Sequence, residues 1–251
     1  MTMAVHSPND LAVRRLRLLR RIESRYPVVT ETVRVGAITF PFTRIADPDR
    51  VLDEVAAEED RLEKVSGKRA DGDYLHLPYW AELWDSALGL SLALERHAID
   101  WNPASTNVLD LGCGMGLSGT SAAALGAKSV LFADLEAPAL LFARLNSLPS
   151  APRVRARRTD WRRDHLREQF DLILGADILY ERKQWEHLEP FWRKHLAPTG
   201  SILLGEPGRP TGDAFPEWIR ARGWSLTPLA QPVPTRDRPI RLFQLNLPTL
   251  S

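Results

Sequence analysis

The spacing of apolar positions changes character near Trp84, and the two regimes predict different kinds of structure. Upstream, in "DLAVRRLRLLRRIESR", Leu11, Leu18, Leu19 and Ile22 fall near one helical face, which predicts an amphipathic helix docked by that face with its arginines in water. "VTETVRVGAITFPFTRIAD" holds two β-rich runs about Gly36-Ala37 and predicts a hairpin over Val29 to Ile45. Asp47 to Val65, with Pro48 near its start, has an acidic helical pattern, and "SGKRADGDY" reads as an exposed loop. Residues 1 to about 80 therefore read as an N-terminal extension or cap.

Downstream, short apolar runs alternate with helical patterns in the manner of a parallel sheet with crossover helices. "LWDSALGLSLALERH" predicts a helix, Asn107 to Leu111 a strand, and "GLSGTSAAALG" a helix closed by Gly126. "SVLFAD", "RVRARRTD", "FDLILGADIL" and "GSILLGE" follow as strands, separated by helical stretches, with "RKQWEHLEPFWRKHL" between the last two and "AFPEWIRARG" after them. The ending differs, because "WSLTPLAQP" and "IRLFQLNLP" are joined by a Pro-rich turn with no helix, which predicts an antiparallel terminal pair.

Composition narrows this picture modestly. At 251 residues the chain can bury a sizeable core, and 33 basic against 32 acidic residues leave no global field that would select nucleic acid or an acidic membrane. Cys113 is the single cysteine, so an intramolecular disulfide and a cysteine-built zinc site are excluded, and the histidines lack a zinc spacing. No metal is expected. There is no apolar run of membrane-spanning length, and a soluble, cytoplasmic, monomeric protein is expected. Five arginines between Arg14 and Arg21 lack the apolar core of a secretory signal; an Arg-rich organellar presequence is the competing reading of that segment.

The candidate chemistry gathers where the predicted strands end, since loops there build ligand sites in such sheets. "DLGCGMGLSG" contains both Gly112-x-Gly114-x-Gly116, as in methyl-donor sites, and Gly114-x-Gly116-x-x-Gly119, the dinucleotide pattern; the spacing alone does not choose. Asp134 ends the second strand, at the distance expected of an acid that binds an adenosine ribose. Asp110 places a carboxylate near the loop, a poor companion for a pyrophosphate and a tolerable one for the cationic groups of a methyl donor. Asp160 and Trp161 offer an acceptor for an exocyclic amine and an indole to cover an adenine face.

Together "LWDSALGLSLAL", "VLDLGCGMGLSG", "FAD", "TDW" and "FDLILGADILY" resemble methyltransferase family 16, seven-strand class I S-adenosylmethionine-dependent enzymes that include protein-lysine methyltransferases. The resemblance covers about residues 78 to 245 and is closest to the lysine-methylating branch around "LWDSAL" and "GADILY". It implies an α/β, Rossmann-like class I methyltransferase sheet, mostly parallel with an antiparallel terminal pair, over residues 81–251, carrying the helical and hairpin extension of residues 1–80. It also implies that Trp84, Gly112, Cys113, Gly114, Asp134, Trp161 and Ala176 line a site for S-adenosyl-L-methionine, Cys113 and Ala176 through backbone and shape. Asp177 and Tyr180 map onto the motif at which the acceptor enters, Asp177 holding an amine and Tyr180 orienting it or closing the methyl channel.

A protein lysine is accordingly the expected acceptor, with a small molecule or RNA as alternatives. Tyr79, Trp80, Glu82 and Trp84 would suit a cationic side chain as an aromatic, acidic wall. An NAD-dependent oxidoreductase and a noncatalytic binding module are the readings from other classes; RNA or membrane-surface contact is the minority reading of Arg14 to Arg21, and RNA is an alternative for the arginines from Arg153 to Arg167, where a solvated strand edge and helix is the more common explanation.

Overall fold

The structure is a computed structural model that describes residues 8–66 and 78–247. The loop expected after Ser66, and His76, lie outside the described residues.

The N-terminal region forms helix α1 (Pro8–Glu23), the hairpin strands β1 (Val28–Val35) and β2 (Ile38–Ile45), and helix α2 (Pro48–Ser66). As the apolar spacing requires, Ile22 is buried, Leu18 and Leu19 are half-buried against the core, and Arg17, Arg20 and Arg21 face water. Val35, Phe42 and Ile45 join the same apolar cluster as the main sheet, so the extension shares that core. Its firmest polar tie is long-range. Asn146 accepts from the Thr43 amide at 2.8 Å and donates to the carbonyls of Thr43 and Met115, each at 3.0 Å.

The body consists of α3 (Asp85–Glu95), β3 (Asn107–Leu111), α4 (Leu117–Ala124), β4 (Ser129–Asp134), α5 (Ala137–Asn146), β5 (Val154–Arg158), β6 (Phe170–Ala176), α6 (Arg182–His195), β7 (Leu196–Glu206), α7 (Pro210–Asp213), α8 (Phe215–Arg220), β8 (Ser225–Gln231) and β9 (Ile240–Asn246). The sheet order is β5-β4-β3-β6-β7-β9-β8. Neighbours from β5 to β7 are parallel, whereas β9 runs antiparallel to both β7 and β8. The strand that comes last in sequence is therefore inserted between its predecessors. Its burial explains why: Ile240, Leu242, Phe243 and Leu245 are all buried, while β8 is largely exposed and carries Pro228, which has no amide to donate to a further strand.

Alternating side chains divide the interior into two layers. Val108, Val130, Phe132 and Leu172 pack toward α3, α4 and α5, and Leu109, Leu131, Ile173 and Ile202 toward α6 and α8, where Trp185 and Trp192 are fully buried. At the other edge, β5 is blunted by charge: Arg155 pairs with Glu168 at 2.7 Å, and Arg157 and Arg158 donate to the carbonyls of His165 and Leu135. Much of the basic stripe of Arg153 to Arg167 is thus engaged within the protein. The order of strands reverses between β3 and β6, and the loops that leave these two strands border one crevice.

Candidate functional site

That crevice opens into a cavity of about 630 Å³. From the β3 side it receives Gly112 and Gly114; from β4, Asp134, Leu135 and Glu136; from the end of β5, Thr159, Asp160 and Trp161; from β6, Ala176 to Ile178 and Tyr180; and from the segment before α3, Tyr79, Trp80 and Trp84. Five stretches distant in sequence thus meet around one space, its volume that of a pocket for a ligand of nucleoside size.

The loop after β3 can approach this space because its turn uses left-handed backbone, φ 64° at Gly112 and 51° at Gly114. At Gly112 a Cβ would also come within 2.8 Å of Ile178 Cγ2. Gly119 does something else. It lies inside α4, where a Cβ would stand 2.4 Å from the Phe132 ring, so it is a packing glycine.

Asp134 holds the loop in place: one carboxylate oxygen accepts from the Gly114 amide at 2.8 Å and the other from the Glu136 amide at 2.9 Å. Burial pushes its carboxyl up to about 6, against the pull of those two bonds. Asp110 is not where sequence placed it. Its side chain, 1% exposed, turns away from the cavity into the start of α4 and accepts from the Gly119 amide at 2.8 Å. Burial raises that carboxyl to about 7, so Asp110 supports the loop from below and does not face a ligand. Cys113 also does not line the cavity, and burial beside Asp134 and Asp110 holds its thiol well above the usual range, which suits a small loop residue and no nucleophile.

Trp161 presents its indole to the cavity, with its N–H donated to Gln184 at 3.1 Å. Asp160 beside it is committed elsewhere: Arg162 grips both oxygens at 2.9 Å each. Partial burial would raise this carboxyl, yet the side-chain and backbone bonds from Arg162 outweigh burial and hold it below its ordinary value. Gln184, Leu135 and Glu136 were not recognised from sequence; each is a generic residue in a helix or turn, and nothing local marks it.

At the other end stand Asp177 and Tyr180, just past the end of β6. Asp177 has φ 53°, a left-handed conformation uncommon for a residue with a side chain, and its amide donates to the Gly205 carbonyl at 2.8 Å. Its carboxylate is gripped by Arg209, Nε to Oδ1 at 3.0 Å and Nη2 to Oδ2 at 2.7 Å. Arg209 was also missed, although it follows the predicted strand end at Glu206-Pro207; only the folded chain shows where it reaches. Its guanidinium lies 5.2 Å from the Trp84 ring. Tyr180 meets Tyr79 edge to face at 5.5 Å, Tyr79 meets Trp84 at 6.3 Å, and both tyrosines remain about 40% exposed at the rim. Trp80 borders the cavity yet is wedged against Tyr26 and Phe142 as part of the core, and Glu82 lies exposed nearby, its carboxyl raised by partial burial and by Asp49. Among the described residues no group of three or more His, Cys, Asp or Glu could hold a metal ion.

The profile of the lysine methyltransferase family matches residues 79–214, more than half of the chain, from the aromatic rim through Arg209. The chain belongs to the lysine methyltransferase family. Among relatives of this family, the electron transfer flavoprotein beta subunit lysine methyltransferase of Mus musculus is 30% identical over 168 residues, 64% of this chain and 62% of that protein. The protein N-lysine methyltransferase METTL21A of Xenopus tropicalis is 36% identical over 139 residues, 53% of this chain and 62% of that one. The matched stretch thus spans less than two thirds of the length of either relative. Among solved structures, the ribosomal protein L11 methylase of Lactobacillus delbrueckii subsp. bulgaricus superposes with a TM-score of 0.53 at 21% identity, over 65% of this chain and 79% of that one, a likeness of fold.

Proposed function

We propose that this chain transfers a methyl group from S-adenosyl-L-methionine to the side-chain amine of a lysine in a protein. The observation that carries this reading is a single cavity with two unlike ends: Gly112, Gly114 and Asp134 at one, and the aromatic rim with Asp177 and Tyr180 at the other. Family membership and the names of its relatives support the same reaction class and a protein acceptor.

The residues fit the cofactor. A Cβ at Gly112 would press on Ile178 beside the space a ligand needs, the Asp134 carboxylate keeps lone pairs for ribose hydroxyls, and Trp161 offers a flat apolar face for a base. When bound, S-adenosylmethionine supplies a methyl carbon on a cationic sulfur; the amine nitrogen forms the new N–C bond as the C–S electron pair returns to sulfur.

The chain's own work is alignment, exclusion of water and control of charge. An ammonium has no lone pair, so the acceptor must be a free amine when it attacks. The Tyr79, Trp84 and Tyr180 rings narrow the approach and strip water from the amine, which lowers its pKa, and solvent takes the proton. Tyr180 is no base: burial pushes its phenol up to about 12, so it stays protonated and can only donate or fill space.

The test has two stages. Calorimetric titration with S-adenosylmethionine, S-adenosylhomocysteine and NAD should show binding of the first two only; binding of NAD alone would refute the reading. Labelled methyl donor with a cell extract, followed by mass spectrometry, should place the label on a protein lysine, whereas label on RNA or a small molecule would refute the acceptor assignment.

A further inference from the structure

The cavity's acceptor end holds an anion that its own chain has already neutralised. Asp177 has a side chain only 3% exposed, and both its oxygens are bonded to Arg209 in the fork-to-fork geometry of an ionised pair. Arg209 is not itself part of the cavity lining; it backs two residues that are, Asp177 and Trp84. Its own backbone is anchored, since the Arg209 amide donates to Glu206, a buried carboxylate that also pairs with Arg241. The backbone from which the guanidinium reaches Asp177 is thus tied to the end of β7.

The surrounding charges do not replace it. Glu206 lies on the β7 side, Arg236 comes from the loop before β9 and is drawn toward Asp85 at 3.8 Å, Tyr79, Glu82 and Asp85 come from the segment that leads into α3, and Tyr180 and Asp134 complete the set. Without Arg209, Asp177 would be a nearly buried carboxylate beside the place the amine must occupy. Such an anion stabilises an ammonium and raises its pKa, holding the acceptor in the form that cannot attack.

We propose that Arg209 is a positioning residue that closes the charge of Asp177 from behind, so that the acceptor end receives a lysine side chain as the neutral amine and not as the ammonium ion. This rests on the methyl-transfer reading given above. Arg209 also lies against the Trp84 ring, so one guanidinium touches both the charge and the aromatic wall of the acceptor end.

The test needs no identified acceptor. Wild type saturated with S-adenosylhomocysteine is titrated at pH 7.5 by ligand-observed NMR with n-butylammonium, the charged stub of lysine, and with 1-butanol, its neutral isostere. Wild type should show no preference for the cation. Arg209→Met should bind n-butylammonium about tenfold tighter or more while 1-butanol is unchanged, because one opposite charge nearby is worth a pKa unit or more. Arg209→Lys should resemble wild type, and Asp177→Asn combined with Arg209→Met should abolish the gain. Should Arg209→Met fail to fold, Asp177→Asn alone reads the same charge with opposite sign and should weaken n-butylammonium below 1-butanol. Equal n-butylammonium affinity in wild type and both single variants, with S-adenosylhomocysteine still bound, would overturn the role of Arg209. Failure of wild type to bind S-adenosylhomocysteine would overturn the methyl-transfer reading instead.

Discussion

Replacing Asp110 by Asn should make the protein more tolerant of alkaline pH, and the size of the effect follows from its position. The carboxyl is 1% exposed, accepts one bond from the Gly119 amide, and sits at about 7 instead of its ordinary 3.8. Between those values the unfolded chain has released the proton and the folded chain still holds it. Folded stability therefore falls as pH rises, by about 1.4 kcal/mol per pH unit for one proton. Below 3.8 both states are protonated and this group costs nothing; above about 7 the full penalty, on the order of 4 kcal/mol, is present. Asn keeps an oxygen to accept from Gly119 and does not titrate, though its buried NH2 costs about 1–3 kcal/mol at every pH for want of a partner. Urea unfolding of both proteins from pH 5 to 8 removes the common titrations by difference. The stability of Asp110→Asn relative to wild type should climb by about 2–3 kcal/mol between pH 5 and 7 and level off beyond. Parallel stability curves would show that Asp110 ionises normally in the fold and that its burial does not carry the consequence assigned to it.

Other outcomes follow from the same geometry. Asp134→Ala removes the acceptors for two loop amides, and calorimetry should show S-adenosylhomocysteine affinity lowered about tenfold to a hundredfold; unchanged affinity would refute the placement of the ribose. Gly112→Ala meets both a left-handed backbone and Ile178, so it should cost about 1–3 kcal/mol in thermal or chemical unfolding and weaken the same ligand. Asn146→Ala should lose about 2–4 kcal/mol and speed hydrogen exchange at the amides of β2, since it removes the hairpin's firmest polar tie to the body and leaves its apolar packing; protection equal to wild type would count against that tie. Tyr180→Phe should retain label incorporation within about threefold, whereas a proton acceptor would cost about a hundredfold or more on removal.

The features legible in the sequence were those set by local rules. The alternation of strands and helices follows from side-chain periods of two and 3.6, the hairpin from two β-rich runs about Gly36-Ala37, and the approach of the loop from Gly112 and Gly114. Asp134 and Trp161 are legible because strand ends border the crevice of such a sheet, and the resemblance supplies Trp84, Asp177 and Tyr180, all of which line the cavity. What only the tertiary structure decided was each pairing across long separations. Whether β8 or β9 takes the inner place depends on how much apolar surface each buries against strands already in position. The orientation of Asp110 depends on the helix folding back over it, the docking of the hairpin on Thr43 meeting Asn146 across 103 positions, and the charge around Asp177 on Arg209 reaching it across 32. Periodicity reports which face of an element is apolar and is silent on which partner that face, or a buried charge, will meet; chain closure and packing make that choice.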